Sequence, residues 1–380
     1  MIAGYRDGSA WVVRPNPVAN AGWSQSRADD PGAMVDPNPP FLHRGRFGAL
    51  VGALVVLAAA CVAPPPPSSS RPVGPALGPV EKVAAISLPL FPETSDPSVV
   101  RVGEEYFVYG SDNHLRAPIM RVTDIDTPLS WWQKLVYLTE GMPEKPAWAA
   151  KENQLWAPTV GPFGDRWIMY FAADRLNPPQ PHNAQCIGRA FADAPEGPFV
   201  AEPTPWHCGL RGVGGALDPE LFVGPDGQRW LLASFSDTES PLHVMRLSDT
   251  GDRVGEAVSI LDRVHKWENH FLEQPAMLHD PVRGDYLLTY SAGRWYESGY
   301  STGLARCSSP TGPCTSDPSG PWLSSSAGRS GPGGLSFFTD VDGATRAIFA
   351  TFAAGSETTV GGRSAHIMRL VTEPKVTLVP

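Results

Sequence analysis

The chain has 380 residues, 42% of them hydrophobic, and a formal net charge of −9 at pH 7. An acidic chain without a basic run lacks the positive face that nucleic acid or an anionic lipid surface requires, so neither is expected as a partner. The length admits one large domain or two ordinary ones, and many of the 41 prolines and 38 glycines fall in the N-terminal quarter or in short turns.

Residues 1–60 read as a targeting segment. Arg44 and Arg46 precede an apolar stretch from Phe47 to Ala60 that stops at Cys61. It is too short to cross a bilayer as a helix and suits the core of an export signal. A start at Met34 would bring the charged region close to the N-terminus. Leu57-Ala-Ala-Ala-Cys61 resembles a bacterial lipobox, with Ala58 where that motif prefers Leu. Acylation of Cys61 would anchor an exported protein to a membrane through lipid alone; the alternative is an ordinary signal cut near Ala60. Residues 61–85, rich in Pro, Ser and Gly, cannot pack a core and read as an extended tether for the remaining 86–380.

Beyond the tether a glycine followed by an aromatic or β-branched run recurs five times. The copies are Gly103-EEYFVYG, Gly164-DRWIMYFAA, Gly227-QRWLLASFS, Gly284-DYLLTYSAG and Gly343-ATRAIFATFA, with gaps of 61, 63, 57 and 59 residues. Each copy reads as a turn and a period-2 strand. A further strand signal follows each, at Ile119-MRV, Ile187-GRAFA, Val244-MRL, Leu304-ARC and Ile367-MRL. Self-similarity at this period means a stacked supersecondary unit whose apolar faces need neighbours. Five units of about four short strands, closed in a ring, predict an all-β, five-bladed β-propeller. Four cysteines lie within it: Cys186, Cys208, Cys307 and Cys314. An even number in an exported chain predicts two disulfides. Of three formal pairings, proximity in sequence favours Cys186–Cys208 and Cys307–Cys314; no close Cys-x-x-Cys pair supports zinc.

The innermost strand of each blade lines a central funnel, where residues from different repeats converge. Asp96-Pro, Asp218-Pro and Glu273-Gln-Pro open three of these strands, Trp156-Ala-Pro a fourth, and Gly331-Pro-Gly-Gly the fifth. The proline is expected to hold the residue before it in extended geometry. A single Asp-Pro is a common turn starter. Three acids at equivalent places are another matter, because the ring brings them to one axis, where they cannot all ionise. Acid/base hydrolysis needs such a cluster. Trp156, lining the funnel, offers a face for stacking a sugar. Trp131-Trp132, Trp267 and Trp295-Tyr296 fall in loops that would wall a cleft, whereas Trp167 and Trp230 read as core.

Together Asp96-PSVVRVG with Tyr106-FVYG, Trp156-AP, Leu217-DPELF with Asp226-Gly, and Glu273-QP with Tyr286-LLTYS resemble glycoside hydrolase family 43, over roughly residues 88–370. The resemblance implies a five-bladed propeller glycosidase acting on arabinofuranosyl or xylosyl linkages with inversion. It assigns the general base to Asp96, the general acid to Glu273, and to Asp218 the tuning of that acid through its charge. The acid and base would stand about 6.5–9.5 Å apart, leaving room for a water. Gly362-Arg363-Ser364 resembles a late motif whose arginine contacts sugar. No cofactor is required.

Two residues depart from the family pattern. Gly334 stands where many members have an axial histidine near a bound calcium or water, which puts an axial calcium in doubt, and Gln274 stands where glycine is usual. These departures leave a non-catalytic glycan-binding propeller as the alternative function. Fructan-active propellers, which retain configuration, would be told apart by a shorter separation of the carboxylates.

Overall fold

A computed structural model of the chain describes residues 73–380 apart from 112–114, 152–153, 180–183, 213, 237–240 and 358–361. The targeting segment, Met34, Cys61 and the first part of the tether lie outside the described residues. Five four-stranded antiparallel sheets follow one another along the chain. Blade 1 holds β1 (Ser95–Val102), β2 (Glu105–Ser111), β3 (Pro118–Val122), α1 (Trp131–Tyr137) and β4 (Leu138–Glu140). Blade 2 holds β5 (Trp156–Phe163), β6 (Arg166–Asp174), β7 (Gln185–Ala192) and β8 (Val200–Ala201). Blade 3 holds β9 (Ala216–Val223), β10 (Arg229–Phe235), β11 (Leu242–Leu247) and β12 (Arg253–Leu261). Blade 4 holds β13 (Phe271–Asp280), β14 (Asp285–Gly293), β15 (Ser301–Cys307) and β16 (Cys314–Ser316). Blade 5 holds β17 (Arg329–Thr339), β18 (Thr345–Ala353), β19 (Ser364–Val371) and β20 (Thr377–Val379). The first strands touch in the order β1, β5, β9, β13, β17, and β17 touches β1, which closes the five-bladed ring.

The five repeated glycines turn each first strand into the second, all in the left-handed region with φ between 64° and 79°. Nothing lies within 4 Å of where a Cβ would stand, so backbone geometry, not crowding, selects glycine there. The second strands carry the aromatic runs, and the core consists of five apolar clusters, one between each pair of neighbouring blades. Phe107 and Tyr109 meet Met169 and Phe171 between blades 1 and 2. Ile168 and Tyr170 meet Leu231 and Phe235 between blades 2 and 3. Leu232 and Val244 meet Leu288 and Tyr290 next. Leu287 and Leu304 then meet Phe349 and Met368, and Ile348 and Ile367 close on Tyr106 and Val108. Successive residues of a strand therefore serve opposite clusters, so no blade buries its surface alone.

The described end of the segment read as a tether lies on the propeller. Val80 bridges Val376 in parallel, the Val83 amide donates to Trp322 O at 3.0 Å, and Leu77, Val80 and Ile86 pack on the cluster between blades 4 and 5. Leu90 and Phe91 then bond Ala365 of blade 5 immediately before β1 begins. Each blade is built from consecutive strands, so this strap from blade 4 across blade 5 to blade 1 supplies main-chain bonds at the closure. Cys186 is bonded to Cys208, and Cys307 to Cys314 across β15 and β16.

Candidate active site

Every innermost strand carries an X-Pro step, and all five X residues are left-handed: Asp96 (φ 45°), Ala157 (46°), Asp218 (51°), Gln274 (52°) and Gly331 (61°). This corrects the extended geometry expected before proline. Strand pairing breaks register across each step, as between Ser95 and Ser98 or Glu273 and Ala276. Proline has no N–H to give a ladder, and a bulge accommodates it inside a paired strand. A left-handed non-glycine residue costs on the order of 1 kcal/mol, a strain that functional sites commonly carry. The register also corrects the reading of three equivalent acids. Asp96 and Asp218 occupy the bulge, whereas Glu273 lies one residue earlier, at the place of Trp156, and the bulge position of blade 4 belongs to Gln274.

The three acids nevertheless converge, and Gln274 joins them. Its main-chain N–H donates to Asp218 Oδ2 at 3.2 Å, and its side-chain Nε2 donates to Asp96 Oδ1. Blades 1 and 4 are not neighbours in the ring, so this bond crosses the axis. Ser111 Oγ holds the other Asp96 oxygen at 2.7 Å. Tyr300 Oη lies 2.7 Å from Glu273 Oε1 and 2.9 Å from Gln274 Oε1, which also accepts from Ser291 Oγ at 3.1 Å.

Burial sets the protonation of the cluster. It pushes Glu273 up to about 7; the Tyr300 hydrogen bond opposes this, the Asp96 charge reinforces it, and Arg363 draws it down. Asp218 is driven well above the usual carboxylate range by burial first, then by the charges of Glu273 and Asp96. The charge pressing on Glu273 is thus that of Asp96, whereas the Asp218–Glu273 repulsion is felt at Asp218. Carboxyls this close share protons as a group, and the cluster retains an acid through neutral pH.

Arg363 is buried beneath this group, its guanidinium 5.2 Å from the Tyr300 ring centre. Nη2 donates to the carbonyls of Gly331 and Ala350, both at 2.6 Å, and Nη1 to that of Trp295 at 3.1 Å. It is a fixed positive charge that ties the loop carrying Trp295 to β17 and β18. Burial lowers its pKa while the charges of Tyr300, Asp96 and Glu273 hold it up. Trp156 is partly exposed at the start of β5. Trp295 and Tyr296, half-exposed in the loop between β14 and β15, stand beside Arg363. Trp267 stacks on Tyr290 at 6.0 Å and belongs to the core, while Trp131 and Trp132 lie exposed on α1. The chain signals α1 through Ser130 and Gln133, which form a capping box.

Gly334, left-handed at φ 69°, borders Gln274: a Cβ there would stand 3.2 Å from Asp96 Cα and from both polar atoms of the Gln274 amide. The two departures from the family pattern thus meet in space, with the glutamine amide filling the position beside the glycine. Among the described residues no three His, Cys, Asp or Glu side chains group as a metal site, and this glycine and committed amide do not fit a calcium.

Comparison with known proteins agrees with this architecture. The thermostable family-43 glycoside hydrolase superposes with a TM-score of 0.64 at 21% identity, covering 79% of this chain and 96% of that one. The Cellvibrio cellulosa α-L-arabinanase complexed with arabinohexaose gives 0.58 at 17% identity, covering 76% and 96%. The extracellular endo-α-(1→5)-L-arabinanase of Thermotoga petrophila is 26% identical over 243 residues, 57% of this chain and 50% of that protein. The chain therefore spans about half the length of that relative. The sequence profile of glycosyl hydrolases family 43 matches residues 89–375, which contain every strand but β20 and every residue of the cluster. The chain belongs to family 43 of the glycosyl hydrolases.

Proposed function

We propose that this protein is an inverting glycosidase that cleaves arabinofuranosyl linkages of an arabinan or arabinose-substituted polysaccharide. The observation that carries the reading is the convergence of carboxyls from blades 1, 3 and 4, with Glu273 holding its proton up to about pH 7. Asp96, held by Ser111 and Gln274, takes a proton from water as the water oxygen attacks the anomeric carbon. As the glycosidic C–O bond breaks, Glu273 delivers its proton to the leaving oxygen. Attack from the face opposite the leaving group inverts configuration, and both carboxyls return to their starting states by exchange with solvent. Asp218, raised by burial and by the charges of Glu273 and Asp96, is the third carboxyl of the group. Trp156 supplies a stacking face. The Thermotoga petrophila relative, an arabinanase, supports arabinose. The extracellular relative and two disulfides support export. Acylation at Cys61, outside the described residues, would make that protein membrane-tethered.

The test is hydrolysis of linear arabinan, an aryl arabinofuranoside and an aryl xyloside by residues 68–380, wild type and Glu273→Gln. Expected is turnover of the arabinosides, with the variant losing about 10³-fold on arabinan and far less on the aryl substrate, whose leaving group needs little protonation. Fresh product should carry inverted anomeric configuration by NMR. Binding of arabinan without turnover of any substrate would replace this reading with that of a glycan-binding propeller.

A further inference from the structure

Tyr300 has one hydroxyl proton and two oxygens to satisfy, Glu273 Oε1 at 2.7 Å and Gln274 Oε1 at 2.9 Å. With Glu273 ionised, both are acceptors competing for that proton, and if Glu273 takes it Gln274 Oε1 keeps Ser291 Oγ but loses Tyr300. With Glu273 protonated, its O–H donates to Tyr300 Oη, freeing the Tyr300 proton for Gln274 Oε1. The far end of the amide is equally constrained. Ser291 Oγ receives the Gly334 N–H at 3.0 Å and lies 3.1 Å from Gln274 Oε1, so two hydroxyls fix the oxygen end and leave Nε2 facing Asp96. An amide nitrogen only donates, so it matches an ionised Asp96. Glu273–Tyr300–Gln274–Asp96 is thus a chain of hydrogen bonds with one direction, satisfied throughout when the acid is protonated and the base is not.

We propose that Gln274 is a positioning residue that, through Tyr300, couples the protonated state of Glu273 to the ionised state of Asp96 across the propeller axis. The assignment of acid and base rests on the function proposed above. An amide does not readily pass a proton, so the chain fixes polarity and carries nothing between its ends. The cost borne by the backbone agrees with a role for the side chain. Gln274 is left-handed at φ 52°, where glycine would be unstrained, and its main-chain bond to Asp218 would survive in glycine. The other charged or titratable groups bearing on this chain are Asp218 and Arg363.

Two variants separate this role from a structural one through the pH profile of kcat/KM on an aryl arabinofuranoside. Gln274→Gly removes the donor from Asp96 and hands the Tyr300 proton wholly to Glu273. The acidic limb should rise and the basic limb fall, each by about one pH unit, narrowing the bell from both sides. Tyr300→Phe removes a donor from Glu273 alone, so its basic limb should rise while the acidic limb stays. An unmoved bell in Gln274→Gly, or basic limbs moving the same way in both variants, overturns the proposal. ¹³C-carboxyl NMR titration of Asp96 and Glu273 in the same proteins reads these shifts without turnover. If the wild type hydrolyses nothing, the functional reading fails, and these titrations still decide the coupling: unchanged curves in Gln274→Gly refute it.

Discussion

Glu220 gives the sharpest test of how the axis is built. It lies on β9 of blade 3, yet Ser336 Oγ of blade 5 donates to its Oε1 at 2.5 Å and Thr159 of blade 2 bonds it from another side. A contact joining blades 3 and 5 must cross the axis, so the carboxyl sits in the channel enclosed by the innermost strands. Among the described residues no cation pairs with it. Burial pushes it up to about 8 from an ordinary 4.5, against the opposing hydrogen bonds of Ser336 and Thr159. The sign follows from linkage. A carboxyl raised on folding contributes stability in full below about pH 4.5 and loses it as pH rises through about 8. At about 1.4 kcal/mol per pH unit, this gap is worth ~5 kcal/mol, less whatever solvent in the channel recovers.

Glu220→Gln keeps the shape of the neutral acid and cannot ionise. Below pH 5 the variant should match the wild type within ~1 kcal/mol. By pH 9 it should be the more stable by ~2–5 kcal/mol, a Tm gain on the order of 5–10 °C for a domain of this size. The assay is Tm against pH for both proteins. Glu273 titrates in the same window but is common to both, so its contribution cancels in the difference. A Tm difference that stays constant from pH 5 to pH 9 would refute the buried, uncompensated carboxyl.

Two further outcomes follow from other parts of the ring. Arg363→Met should raise the basic limb of activity above about 7, because Arg363 draws Glu273 down. Left without their donor, the carbonyls of Trp295, Gly331 and Ala350 should cost ~3–5 kcal/mol in thermal unfolding; a limb moving to lower pH would contradict the assigned charge. A chain beginning at Ser87 in place of Ser68 loses Leu77, Val80 and Val83 from the cluster between blades 4 and 5, and Trp322 Nε1 loses Glu81 O and keeps the longer bond to Val376 O at 3.4 Å. It should melt ~10 °C lower, and equal Tm values would show the strap to be an ornament.

The ring was legible because its signal is periodic. Glycine turns and alternating aromatic runs recur five times, and each local choice agrees with the others. The site was legible in its members but not in its register. Taking each acid as the residue that opens its innermost strand aligns Glu273 with Asp96 and Asp218, although it stands two residues before its proline and they stand one. Aligning instead on proline puts Asp96, Ala157, Asp218, Gln274 and Gly331 together, which is how the bulges place them. Proline is the better ruler for a physical reason: a residue that cannot feed the ladder fixes where the ladder must break.

That alignment changes what Gln274 is. Read beside the acid, it is a minor departure from the family; read at the bulge, it is the counterpart of two carboxylates and binds both, Asp218 through its main-chain N–H and Asp96 through its side chain. Its geometry also explains why Gly334 can stand where a histidine is usual, since a side chain there would meet the amide at 3.2 Å. Neither departure is informative alone. Tyr300, Ser291 and Glu220 were beyond reach for another reason. Each acts through partners 17 to 116 positions away, on strands whose facing is set by the ring closure and not by any local pattern. Gly334→His should therefore be tolerated only together with Gln274→Gly. The single substitution should cost ~2–4 kcal/mol through the clash and its left-handed backbone, and the pair less than the sum of its parts. Strict additivity of the two in a double-mutant cycle would mean that the axial space is not shared, and that the amide's place between acid and base needs another explanation.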